Sequence, residues 1–156
     1  MAKLNLVPCT RGALRHIAHY LRQADVDELS ATREGAFNEY AVLLESTAIS
    51  EVIHIAETPY GEPIAVFGLA PIHWAENTGC PWMLGTDKLQ DYPRDVITLG
   101  KQFAIEWGKK YSMLTNCVDA RNTKSIAWLK HSGYEVLPAM PYGPKGMLFH
   151  PFQRCT

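Results

Sequence analysis

The chain has 156 residues, 47% of them hydrophobic and 20% charged, enough for one domain with a packed core. A formal net charge of −1 disfavours a nucleic-acid binder that works by bulk electrostatics, because phosphate affinity needs clustered Lys and Arg. No stretch approaches the ~20 apolar residues of a membrane span, and Arg and His interrupt the apolar residues of the N-terminus, so a soluble, intracellular protein is expected.

In chain order, LNLV reads as a short strand. Leu14, Ile17, Ala18 and Leu21 then recur at i, i+3, i+4, i+7, with Arg15, His16, His19 and Arg22 on the other side. This spacing predicts an amphipathic helix. In DVDELSA, Asp25 followed by Glu28 has the form of a capping box opening a second helix. Phe37, Tyr40, Ala41 and Leu44 support a third. EVIHIAE and IAVFGLAPI read as two strands, joined through the turn chemistry of TPYGEP into a hairpin. CPWMLG is a further strand. Val96, Leu99, Phe103 and Trp107 form one helical stripe, with Pro93 suited to the first helical position.

SMLTNCVDA is the next strand. Asn122 is suited to cap the helix after it, and Gly133 to stop that helix. YEVL begins a strand, MPYGPKG reads as a turn, and MLFHPF closes the chain. The crossover from Trp82 to Val118 implies a parallel strand pair, and the hairpin before it antiparallel ones. The expected fold is a mixed sheet with helices on its faces, an α/β or α+β domain spanning residues 1–156.

This order, with Asn122, Gly133 and Tyr134 in VDARNTKSIAWLKHSGYEVL, resembles the GCN5-related N-acetyltransferase (GNAT) family. The resemblance implies that two parallel strands, near Pro81–Gly85 and Met113–Val118, splay apart to admit acetyl-CoA. Leu84, Gly85, Thr86, Arg94 and Asn122 would then hold the cofactor. The pieces LRHIAHYLRQADVDEL, GEPIAVFGLAP, PWMLGTD and NCVDARNTKSIAWLKHSGYE also resemble a family of small tailed-phage proteins, related to an internal virion or morphogenesis protein of T7-like phages. That resemblance implies a phage gene, expression in the host cytoplasm or association with the virion, and a protein partner from phage or host, with a homo-oligomer admitted.

Three positions depart from the acetyltransferase pattern. GTDKLQDYPRDV lacks spaced glycines; Pro93 removes a donor, and Asp87, Asp91 and Asp95 bring negative charge, offset in part by Lys88 and Arg94. Leu129 stands where many members carry a proton-donating Tyr. CPWMLG offers no carboxylate, and Glu57, Glu76 and His73, within reach in sequence, read first as surface residues. These departures, together with what the tailed-phage resemblance implies, favour a protein-binding phage accessory protein with degenerate catalysis and no cofactor. The alternative is an acetyl-CoA-dependent N-acetyltransferase acting on a protein or small amine. No catalytic residue is assigned.

Other constellations are weaker. Cys9, Cys80, Cys117 and Cys155 form no CxxC pair, and Cys117 reads as a core thiol. His16 and His19 lack further metal ligands. Asn116, beside the cleft strand, has two readings, a bond to a ligand or a structural amide bonded to neighbouring backbone, with the second slightly favoured; Trp74 and Tyr142 read as interface anchors or sheet-end covers.

Overall fold

A computed structural model describes residues 3–156. Its elements run β1 (Asn5–Val7), α1 (Arg11–His19), α2 (Gln23–Ala31), α3 (Glu39–Ala48), β2 (Val52–Glu57), β3 (Pro63–Pro71) and β4 (Thr78–Gly85). A 3-10 turn over Asp87–Asp91 leads into α4 (Pro93–Gly108), β5 (Met113–Asp119) and α5 (Thr123–His131). Three strands close the chain: β6 (Glu135–Val136), β7 (Met140–Tyr142) and β8 (Met147–Cys155).

The strands form one sheet in the order β1-β2-β3-β4-β5-β8-β6, with β7 also pairing β8. All neighbours are antiparallel except β4 and β5. One face buries Leu14, Ile17 and Ala18 of α1 and Leu43 of α3 against Ile55, Val66 and Leu84. The other buries the α4 stripe Val96, Leu99, Phe103 and Trp107, with Phe103 and Trp107 stacked at 4.8 Å between ring centroids. The expected helical stripes are therefore the two core faces.

Local signals act where their chemistry requires. Pro93 is the first residue of α4, where its missing N–H costs nothing. Asn122 Oδ1 accepts from Ser125 N and caps α5. Gly133 follows α5 at φ +100°, a conformation that favours glycine.

Two expectations need correction. The Asp25–Glu28 spacing is not a capping box: α2 starts at Gln23 with Arg22 as its N-cap, and both carboxylates are engaged elsewhere. MPYGPKG is more than a turn. Its first residues are β7, a three-residue strand masked in sequence by Pro141, and only Gly143–Gly146 turns back into β8.

Candidate active site

The parallel pair β4/β5 is joined only at its start, where Thr78 pairs with Met113 and Gly79 with Leu114. Beyond this the strands diverge, so their facing backbone groups lose ladder partners. Each such group would cost about 1–3 kcal/mol if buried unpaired, and side chains supply the replacements. Asn116 Nδ2 donates to Pro81 O at 2.9 Å, and Asn116 Oδ1 accepts from Cys117 N at 2.8 Å. Further along β5, Glu28 Oε1 accepts from Asp119 N at 2.7 Å. At the end of β4, Asp25 Oδ2 accepts from Gly85 N at 2.9 Å, and Gly85 O accepts from Arg22 N at 3.0 Å. Asn116 is thus the structural amide expected of it, and Arg22, Asp25 and Glu28 supply partners for the other free backbone groups of the wedge.

Arg22 and Asp25 form the buried joint of this arrangement. They are 6% and 1% exposed. The guanidinium donates to both carboxylate oxygens at 2.8 and 2.9 Å and to Ser125 Oγ at 2.7 Å, and it lies 5.1 Å from the Trp128 ring centroid. One ion pair therefore ties α2, β4 and α5 together. Burial pushes the Asp25 carboxyl up, and the Arg22 guanidinium and Gly85 N–H pull it back.

The wedge encloses a cavity of about 270 Å³, lined from both helical layers. Trp82, Met83, Leu29, Phe149 and Trp128 give it apolar walls, and Arg22, Asp25 and Glu28 are its charged side chains. Glu28 stands out among these. Burial first, and the nearby Asp25 and Asp119 carboxylates second, raise its pKa from 4.5 to about 7, although the Asp119 N–H opposes the shift. Asp119 itself is drawn below the usual carboxylate range: burial would raise it, but the bonds from Arg121 outweigh burial. Glu28 appears in none of the ion pairs among the described residues. It is a carboxyl near half-ionisation at neutral pH inside an apolar cleft, a combination suited to proton transfer.

Tyr134 also lines the cleft, packed edge-on against Phe152, with burial holding its phenol protonated. Leu129 is a wall residue. Cys80 and Cys117 are half-buried, and burial raises both thiols, Cys80 to about 11. Neither has the depressed pKa of a nucleophilic cysteine.

The expected cofactor residues divide into two groups. Leu84 and Asn122 line the cleft. Gly85 stands at its edge, with its N–H and carbonyl engaged by α2. Thr86 caps the 3-10 turn and lines an adjoining polar cavity of about 280 Å³ with Arg121, Asn122, Thr123 and Lys124. Arg94 lies exposed in the first turn of α4 and borders neither cavity. Asp95, beside it, accepts from Leu4 N. His73 and Glu76 are exposed in the loop before β4, and Glu57 ends β2; none borders the cleft.

Trp74 is exposed in the same loop as His73, and Tyr142 reaches the rim of the cleft from β7. Among the described residues there is no cluster of ligands able to hold a metal, and no helix long and apolar enough to cross a membrane.

Glu28 escaped the sequence reading because its i, i+3 spacing from Asp25 mimics a helix start. A weak signal was present: Asp25 and Glu28 share one helix face with apolar Leu29 beside them, an odd place for two solvated acids.

No protein-family model and no curated protein matches the chain. Solved structures do. It is similar over 98% of its length to 95% of spermidine N-acetyltransferase from Vibrio cholerae, solved with CoA and spermine (TM-score 0.71, 12% identity). A GNAT-family acetyltransferase from Bacillus anthracis matches with TM-score 0.71 at 10% identity, over 98% of this chain and 95% of that one. Ribosomal-protein-alanine N-acetyltransferase from Brucella melitensis matches with TM-score 0.66 at 14% identity, over 98% and 100%. With a mixed sheet, a single parallel pair splayed around a cleft and five α-helices among the described residues, the chain has the GCN5-related N-acetyltransferase fold.

Proposed function

We propose that the protein, as one domain over residues 1–156, is an acetyl-CoA-dependent N-acyltransferase acting on an amine. The observation that carries this reading is the open β4/β5 wedge, an apolar cavity with a near-neutral carboxyl, Glu28, in its wall. The residues fit a long thioester cofactor in two parts. Leu84, Trp82 and Met83 would face its uncharged arm. Thr86, Asn122, Thr123 and Lys124, in the adjoining polar cavity, would hold its phosphates in place of the start of α4, where Pro93, Asp91 and Asp95 are unsuited to that task; Asp87 also lines that cavity, with the Lys124 ammonium there to offset it.

Bound acetyl-CoA supplies an acyl group activated as a thioester. The protein's own contribution is positioning and proton handling. Glu28, ionised in about half the molecules at pH 7, takes the proton that the attacking amine loses. Tyr134 keeps its phenolic proton at neutral pH and is the donor available to the departing sulfur, a role Leu129 cannot fill. The apolar walls exclude water, which protects the thioester from hydrolysis.

The test is CoA release from acetyl-CoA, followed with a thiol reagent, over spermidine, an aminoglycoside, a peptide beginning with alanine and 2-phenylethylamine. Amine-dependent release is expected, slowed at least about a hundredfold in Glu28→Gln, the low end for a lost general base. Release that no amine accelerates, together with no acetyl-CoA binding, would count against the reading.

A second reading has one specific observation behind it. Asp25 and Arg22 already occupy the backbone groups of Gly85 at the open end of β4. A wedge closed by its own side chains suits a protein that has kept the fold and lost the cofactor. Such a protein would act by binding a phage or host partner, in virion assembly or host takeover, as the sequence resemblance to small tailed-phage proteins implies. That resemblance rests on the sequence pieces alone.

A further inference from the structure

The charged side chains of the cleft do not balance. Arg22 is consumed by Asp25, in a two-point ion pair with both partners buried. Asp119 is paired with Arg121 through Arg121 Nη2 at 2.7 Å. Lys145, on the turn between β7 and β8, is tied to Ser30 O at 3.1 Å and Ser30 Oγ at 3.4 Å. The neighbouring titratable groups are the Cys117 thiol of β5, which burial and Glu28 itself keep protonated, and, at the rim, the Tyr142 phenol. Glu28 is left as the one cleft carboxyl without a cation among the described residues, and its hydrogen bond there comes from the uncharged Asp119 N–H. Leu29, next to Glu28 in the chain, and Phe149, opposite Asp119 in the β5/β8 ladder, make the wall around it apolar.

We infer that the molecule this cleft selects is a primary amine with a single positive charge on an apolar stem, and that Glu28 pairs with its ammonium group. The inference names the acceptor class for the acyl-transfer reading and rests on it for that meaning; the binding itself needs no cofactor. An ammonium group supplies the missing countercharge, and an apolar stem matches the walls. A carboxylate in the same place would face Glu28 with like charge. A polyamine would bring further charges into a cavity whose other acid, Asp25, is already paired. The cavity, about 270 Å³, sits at the small end of ligand sites, which also favours a compact amine.

Binding should follow the ionised fraction of Glu28. With its pKa about 7, that fraction falls about tenfold from pH 8 to pH 6, while an alkylamine stays protonated throughout. The test is ligand-observed NMR or calorimetry on the cofactor-free protein with 2-phenylethylamine, 3-phenylpropionate and spermidine, at pH 6 and pH 8. The expected result is that 2-phenylethylamine binds at pH 8 and about tenfold more weakly at pH 6, with the other two binding at least tenfold more weakly at pH 8. Glu28→Gln keeps the acceptor for Asp119 N, so the fold should persist, which a thermal melt checks. In that variant amine binding should weaken and lose its pH dependence.

The inference is overturned if the wild-type protein fails to bind 2-phenylethylamine. It is overturned equally if 3-phenylpropionate or spermidine binds as well, or if folded Glu28→Gln binds like wild type. Amine binding without acetyl-CoA binding would sink the transferase reading and leave this inference standing. Acyl transfer that is indifferent to Glu28→Gln would do the reverse.

Discussion

Replacing Asp25 with Ala probes the joint on which the cleft depends. The substitution removes both carboxylate bonds from Arg22 and the acceptor of Gly85 N. Arg22, 6% exposed in the native protein, would be left with Ser125 Oγ and the face of Trp128. Breaking one side of a buried ion pair costs about 3–5 kcal/mol, because a charge stays buried and uncompensated. The orphaned Gly85 N–H adds about 1–3 kcal/mol. The two overlap, since one cavity can admit water to both, so about 4–6 kcal/mol is expected. That is a large share of the roughly 5–15 kcal/mol that stabilises a typical domain. At a urea slope of about 2 kcal/mol per molar, the unfolding midpoint should fall by about 2–3 M. Tryptophan fluorescence is a suitable probe, since Trp82 and Trp128 both line the cleft. The paired replacement Arg22→Met with Asp25→Leu removes both charges at similar volume. It should cost less than Asp25→Ala alone, with the Gly85 N–H as its main loss. A loss under about 1 kcal/mol for Asp25→Ala, or a double variant less stable than the single one, would refute the reasoning.

Two other outcomes are expected. Gly68 lies beneath Trp82, and a Cβ there would come within 2.2–2.4 Å of the indole, which its Nε1 bond to Ser50 Oγ holds at 2.8 Å. Gly68→Ala should therefore cost about 1–3 kcal/mol of stability in a chemical melt and move Trp82 in the cleft wall; a neutral result would mean the ring is free to shift. Glu28 gives stability a pH dependence. Its folded pKa of about 7 lies above the ordinary 4.5, so the folded state holds the proton more tightly. Its contribution is fully present below pH 4.5 and is lost as pH rises to about 7, by at most about 3 kcal/mol. Stability measured from pH 4.5 to 8 should lose that component in Glu28→Gln; an unchanged slope would place the titration elsewhere.

The parts of the fold set by local chemistry were legible in the sequence. The α4 stripe, Pro93 at a helix start, Asn122 as a cap and Gly133 as a stop each depend on neighbours within a turn or two, and each does the expected job. The crossover rule likewise led from one helix to one parallel strand pair. The site was harder to read because its bonds join distant positions. Arg22 reaches Ser125, 103 residues away, and Glu28 reaches Asp119, 91 residues away. Nothing within ten residues of Glu28 reveals that its partner is a strand amide left open by the splay. Asp25 and Glu28 carried a strong local meaning, the capping box, which hid the long-range one. Pro141 hid β7 in the same way, because a proline argues against a central strand but not against an edge.

The central claim is that the β4/β5 wedge admits a thioester cofactor. Calorimetric titration of acetyl-CoA into the purified protein, with Trp82→Ala and Lys124→Ala as controls, tests it most directly. Trp82 lines the wedge and Lys124 the adjoining polar cavity. The expected result is saturable binding in the micromolar range, weakened at least about tenfold by either substitution, a loss of about 1.4 kcal/mol. No binding at millimolar acetyl-CoA would contradict the claim and leave the wedge closed by Arg22 and Asp25.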